Sequence, residues 1–110
     1  MRTLLRTEAF DAFYSTLGHR AQEKTDYALA LLGQLKVIST KFVKKLEGTI
    51  FYELRISTEN EYRVILFATD SENIVEARTV ILLNGFMKKS NKNYKAQICK
   101  AEMLLDKLLK

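Results

Sequence analysis

Proline and tryptophan are absent from this 110-residue chain, and cysteine and histidine occur once each, as Cys99 and His19. Without proline, the four glycines and the asparagines must punctuate the turns. A single cysteine excludes an internal disulfide and a cysteine-rich zinc site. A single histidine excludes a two-histidine metal site and a histidine acid–base pair, so neither a metal nor a cofactor is expected. No apolar run approaches the roughly 20 residues that span a bilayer. The opening MRTLLRTEAF has acid too early and too few apolar residues for a signal peptide, so a cytoplasmic protein without membrane contact is expected. Acid is also missing over a long stretch. None occurs between Glu76 and Glu102, where Arg78, Lys88, Lys89, Lys92, Lys95 and Lys100 all fall.

What is present reads as an ordered globular chain. Hydrophobic residues make up 47% and charged residues 28%, which separates it from disordered sequences. The length predicts one domain over residues 1–110. The net charge of +5 is uneven, because the acids and bases of residues 1–35 cancel and the whole excess lies in 36–110. A one-sided basic surface attracts polyanions.

The periodicity predicts a short strand over 2–6, then a helix capped by Thr7 with Phe10, Phe13, Tyr14 and Leu17 on one face. A second helix is expected from His19 to Leu35, with Tyr27, Ala28, Leu31, Leu32 and Leu35 as its stripe. Period-2 alternation then marks strands over Thr49–Ser57 and Glu61–Ala68, and a compact apolar run marks Thr79–Leu83, ended by Gly85. A last helix over Tyr94–Leu109 is expected to be capped by Asn93, with Cys99 as a small core residue and Tyr94, Ile98, Ala101, Leu105 and Leu108 as its stripe. The order predicts an α+β fold, with an N-terminal helix pair and a C-terminal helix packed on a small, mostly antiparallel, twisted sheet.

Two arginines carry the chemistry. If Thr58–Asn60 is the hairpin loop, Arg55 faces Arg63 directly, a like-charged pair that destabilises a sheet unless it serves to hold an anion. Cleaving RNA without a metal requires the 2′-hydroxyl to lose a proton and the phosphate oxygens to be stabilised. Arginine suits the second task, and a lysine beside other cations suits proton transfer. Arg55, Arg63, Lys88 and Lys89 are therefore candidate catalytic residues, with Glu53 as a further candidate base. The competing reading is that Arg55 and Arg63 simply pair with Glu53 and Glu61. Phe86 and Tyr94 flank the lysine loop and could meet a base, although core packing also fits Phe86. Lys44, Lys45 and Lys92 could follow an RNA backbone.

The segments KKLEGTIFYELRI, EYRVILF and LLNGFMKKSNK resemble the RelE/ParE toxin superfamily, in its HigB-like, phage-derived Gp49-like branch. The likeness lies at Lys45, Leu46, Gly48, Tyr52, Glu53, Leu54, Arg55, Tyr62, Arg63, Leu82, Leu83, Gly85, Phe86, Lys88 and Lys89. It implies a type II toxin that cuts ribosome-bound mRNA, held inactive by a cognate antitoxin of helix-turn-helix, HigA-like type. Two other readings stay open: a ParE-like inhibitor of DNA gyrase, and a non-catalytic nucleic-acid-binding module of a mobile element. Asn93–Tyr94 stands where the superfamily often has threonine–proline, and Thr69–Arg78 is longer than its usual turn.

Overall fold

A computed structural model describes residues 1–110. Five strands and three helices follow in the order β1 (Thr3–Arg6), α1 (Glu8–Ser15), α2 (His19–Gln34), β2 (Val43–Lys45), β3 (Tyr52–Ser57), β4 (Glu61–Ala68), β5 (Thr79–Met87) and α3 (Asn91–Leu109). The strands form one sheet in the order β1-β5-β4-β3-β2. Pairing is antiparallel except for β1, which runs parallel to β5 with Thr3 opposite Thr79. The expected α+β class is what the chain adopts. No helix is long and apolar enough to cross a membrane.

Alternation along the strands divides the core in two. Leu54, Ile56, Val64, Leu66, Val80 and Leu82 pack under α1 and α2 with Phe10, Ala28 and Leu32. The opposite face, with Phe51, Ile65, Ile81, Leu83 and Phe86, meets Ala101 and Leu105 of α3. Thr7 caps α1 as expected, its Oγ1 accepting from the Phe10 amide at 3.0 Å. The buried stripe of α2 is Ala21, Thr25, Ala28, Leu29 and Leu32. Tyr27 and Leu35 of the expected stripe are exposed instead, because small residues face the sheet and allow the helix to approach closely.

Three further expectations are corrected. The strand over Thr79–Leu83 does not stop at Gly85 but continues to Met87 through an irregularity in the β4–β5 register. Glycine is needed there because a Cβ would lie 2.3 Å from the Phe13 ring of α1. The last helix begins three residues early. Ser90 is the N-cap, and Asn93 is the third helical residue, its Oδ1 accepting from the amides of Ser90 at 3.1 Å and Lys89 at 2.9 Å. Cys99 and Leu108 are exposed rather than core, since Leu104, Ala101 and Leu105 supply that contact.

The segment 69–78 folds back over the sheet end, burying Ile74 and Ala77. The Asp70 carboxylate accepts from the amides of Arg78 and Thr79, which holds its pKa below the ordinary value. Tyr52 Oη donates to Glu72 O at 2.9 Å. Arg2, unremarked in the sequence, is buried and donates to five main-chain carbonyls: Leu32 in the last turn of α2, Leu35 and Lys36 just after it, and Ile74 and Val75 in this segment. The cation sits where carbonyls without helical partners accumulate.

Candidate nucleic-acid interface

The hairpin register is the one the loop length predicts. Arg55 lies opposite Arg63, and Phe86 of β5 lies opposite Arg63 on its other side. Odd positions of β3 and β4 face α3, so Glu53, Arg55 and Arg63 share a face with Phe86. Lys88 joins them because its amide donates to Glu61 O at 2.8 Å, prolonging the β4–β5 ladder beyond the strand.

The two arginines differ sharply in environment. Arg55 is half-buried, its side chain 36% exposed, with Nε 3.7 Å from Glu53 Oε1. Arg63 is 1% exposed and makes three side-chain hydrogen bonds. Its Nε donates to Tyr94 Oη at 3.0 Å, and Nη1 donates to Tyr62 O at 2.9 Å and Glu61 Oε1 at 3.3 Å. Glu53, 5% exposed, lies between the arginines, with Oε2 3.8 Å from Arg63 Nε and no hydrogen bond of its own. Both arginines thus have acidic neighbours, Arg55 at Glu53 and Arg63 at Glu53 and Glu61, which offsets the like charges of the hairpin. Arg63 is not laid open on the sheet surface, because the first turn of α3 covers it.

Tyr94 is that cover. Its ring meets Phe86 edge-on, with centroids 5.4 Å apart, and Lys88 Nζ lies 5.9 Å from its centroid. Burial, with the Glu53 carboxylate beside it, raises the phenol above its ordinary pKa, so it is protonated at neutral pH. On Glu61, a hydrogen bond from Ser57 Oγ and then one from Arg63 lower the carboxyl below its ordinary value. Asn84 Nδ2 fastens α3 to β5 through Gln97 Oε1 at 2.8 Å and Gln97 O at 3.1 Å.

The structure gathers Glu53, Arg55, Arg63, Phe86, Lys88 and Tyr94, but Phe86 is buried against α3 and is not offered to a base. Lys44 lies opposite Glu53 and so faces the same side. Lys45, opposite Tyr52, faces the other side with Nζ 5.5 Å from the Tyr52 ring, so the two lysines do not act together. Lys89 and Lys92 are exposed around the start of α3. Sequence reasoning missed the hold of Tyr94 on Arg63, which no local pattern signals across 31 residues. No group of three or more histidine, cysteine, aspartate or glutamate side chains is placed to hold a metal ion.

Residues 12–106 match the family described as Phage derived protein Gp49-like (DUF891). The chain belongs to that family. No curated protein matches it. Among solved structures, this Gp49-like chain is similar to one in the intact Escherichia coli RelBE toxin–antitoxin complex, with a TM-score of 0.62 and 18% identity over 82% of this chain and 100% of that one. It is also similar to the isolated E. coli RelE toxin, with a TM-score of 0.60 and 17% identity over 91% of this chain and 98% of that one. Family and fold agree with the sequence resemblance: the chain is Gp49-like and its fold is that of RelE.

Proposed function

We propose that this protein is the toxin of a type II toxin–antitoxin pair and cleaves mRNA on the ribosome. The observation that carries the reading is the opposed pair Arg55 and Arg63, with Glu53 between them and the protonated Tyr94 phenol above, on a RelE-like sheet. In the reaction the 2′-oxygen bonds to the adjacent phosphorus, the P–O5′ bond breaks, and a proton passes from the 2′-hydroxyl to a base and another to the departing 5′-oxygen. Arg55, the accessible arginine, takes the non-bridging oxygens as charge builds there. Tyr94 has a phenolic proton to donate to phosphate, and Arg63 beneath it holds the phenol in place. Lys88 adds positive charge, while Lys44, Lys89 and Lys92 hold flanking backbone. Glu53, the carboxylate that reaches both arginines, is the first candidate base.

The site is better equipped to stabilise charge than to move protons. Its lone histidine, His19, is exposed at the start of α2, away from this face. Ribosomal presentation supplies what is missing, because aligning the 2′-hydroxyl in line with phosphorus can lower the barrier by several kcal/mol. The cognate antitoxin, of helix-turn-helix type, is the protein partner. The support is a fold shared with a toxin solved in complex with its antitoxin.

The test is single-turnover cleavage of one message, free and in a programmed ribosome, with magnesium kept and transition metals removed. Cleavage on the ribosome, faster than free by several orders of magnitude, is expected. Equal rates would mean a self-sufficient site. Growth arrest with intact transcripts and broken DNA would replace this reading with gyrase inhibition.

A further inference from the structure

β2 covers β3 only from Tyr52 to Leu54, and its last contact is the Arg55 amide donating to Phe42 O at 2.7 Å. Past that point the sheet edge is bare, and a cleft of about 590 Å³ opens between it, the middle of α2 and the residues before β2. Tyr27 projects into it from α2 while remaining 61% exposed, and its hydroxyl has no hydrogen-bond partner. Lys41 and Arg55 stand on the other walls.

We propose that this cleft is a nucleotide subsite for single-stranded RNA. A base stacks on the Tyr27 ring, its phosphate is held by Arg55, and Lys41 takes the neighbouring phosphate. The inference deepens the proposed RNA cleavage and rests on it, since Arg55 belongs to both places. Its guanidinium is held beside Glu53 on the α3 side, and the residue also lines the cleft at the sheet edge. A strand gripped by Arg55 therefore has this cleft as its next resting place.

Three cations, Lys24, Lys41 and Arg55, line the cleft against two acids, Glu23 and Glu61, and this single positive excess suits an anionic occupant. Glu23 lies 2.8 Å from His19 Nε2, Glu61 accepts from Ser57 and Arg63, and Lys24 Nζ donates to Ser57 O at 2.7 Å. Lys41 has no acidic partner, and Arg55 has only the 3.7 Å contact to Glu53. An exposed aromatic beside free cations is the arrangement that binds single strands without reading their sequence, the base on the ring and the phosphates on the cations. An apolar peptide laid here would strand the same charges without partners.

The experiment measures binding of an unstructured, fluorescent oligoribonucleotide of roughly eight nucleotides, within the range of single-strand sites, across a salt series. Tyr27→Ala is expected to weaken binding at least about fivefold, the lower end of one lost stack. Tyr27→Phe keeps the ring and is expected to bind as the native protein does. Lys41→Ala is expected to reduce the slope of log K against log salt by about 0.7, one phosphate contact on a single strand. Since both side chains are largely exposed, these variants fold, which their thermal melts check.

If Arg55→Ala weakens binding while Tyr27→Ala and Lys41→Ala leave it unchanged, the subsite is refuted and the proposed function stands. If the native protein binds no RNA at any salt, the subsite is refuted, while the proposed function is decided separately by cleavage in the programmed ribosome. If Tyr27→Ala weakens only the complex with the antitoxin, the cleft is a protein-docking face and the inference is overturned.

Discussion

Replacing Arg63 with alanine should cost stability before it costs chemistry. The guanidinium is 1% exposed, and its removal takes away donors to Tyr94, Tyr62 and Glu61. It also strips Glu53 Oε2 of its nearest cation, at 3.8 Å, in a place water scarcely reaches. Breaking one partner out of a buried pair typically costs about 3–5 kcal/mol, because the other charge is left uncompensated. For 110 residues the unfolding entropy is about 0.23 kcal/mol per kelvin, so Tm should fall by roughly 13–22 °C. Arg55 still stands 3.7 Å from Glu53 Oε1, which favours the lower end of that range. The assay is urea unfolding of the native protein, of Arg63→Ala, and of the double variant Glu53→Leu with Arg63→Met. The double variant should recover most of the loss, since apolar replacement of a buried pair removes both charges together. A single variant within about 0.5 kcal/mol of native, the range of ordinary surface substitutions, would refute the reasoning and return Arg63 to the surface.

Arg55→Ala should behave oppositely, folding and pairing with the antitoxin normally while ribosomal cleavage drops about 100- to 1,000-fold, the usual cost of one transition-state donor; full cleavage by the folded variant would remove Arg55 from the site. Arg2→Met should lower stability by roughly 2–5 kcal/mol, since two of the five carbonyls it satisfies are at buried bonds; an unchanged urea midpoint would contradict this. On the acid side, Asp70 has a folded pKa below its ordinary 3.8, so its contribution is complete above that value and disappears as pH falls through the depressed one. Asp70→Asn should accordingly flatten the stability–pH curve below about pH 4, and identical acid limbs for variant and native protein would count against it.

The helices and hairpin were legible in the sequence because each depends on local pattern. Phe10, Phe13 and Tyr14 recur at helical spacing, and the Thr58–Asn60 loop sets Arg55 against Arg63 by counting alone. What was hidden depends on partners far along the chain. Tyr94 reads as an aromatic beside lysines until α3 lays it on Arg63. Gly85 reads as a stop until Phe13 demands the room a side chain would take. Glu53 reads as a candidate base or as an ion-pair partner of the arginines, and only the covering helix makes it a buried charge. The three-residue β2 was missed because Val43–Lys45 is too short to show a period. Its brevity is also what leaves the sheet edge beside Arg55 uncovered.

The parallel pairing of β1 with β5 bears on when this protein can exist as a folded object. Thr3 finds its strand partner only at Thr79, and Arg2 finds two of its carbonyls only at Ile74 and Val75. Everything made before them, including the apolar faces of α1 and α2, waits for strands that come later in synthesis. Contacts so distant in sequence close slowly, after the local β3–β4 hairpin has formed. A chain interrupted before β5 would have no neighbour for its first strand, no cover for its helices and no Phe86 or Tyr94 beside Arg63. Synthesis through β5 and the first turn of α3 is therefore a condition of assembling the arginine site, and products cut short before Tyr94 would lack it.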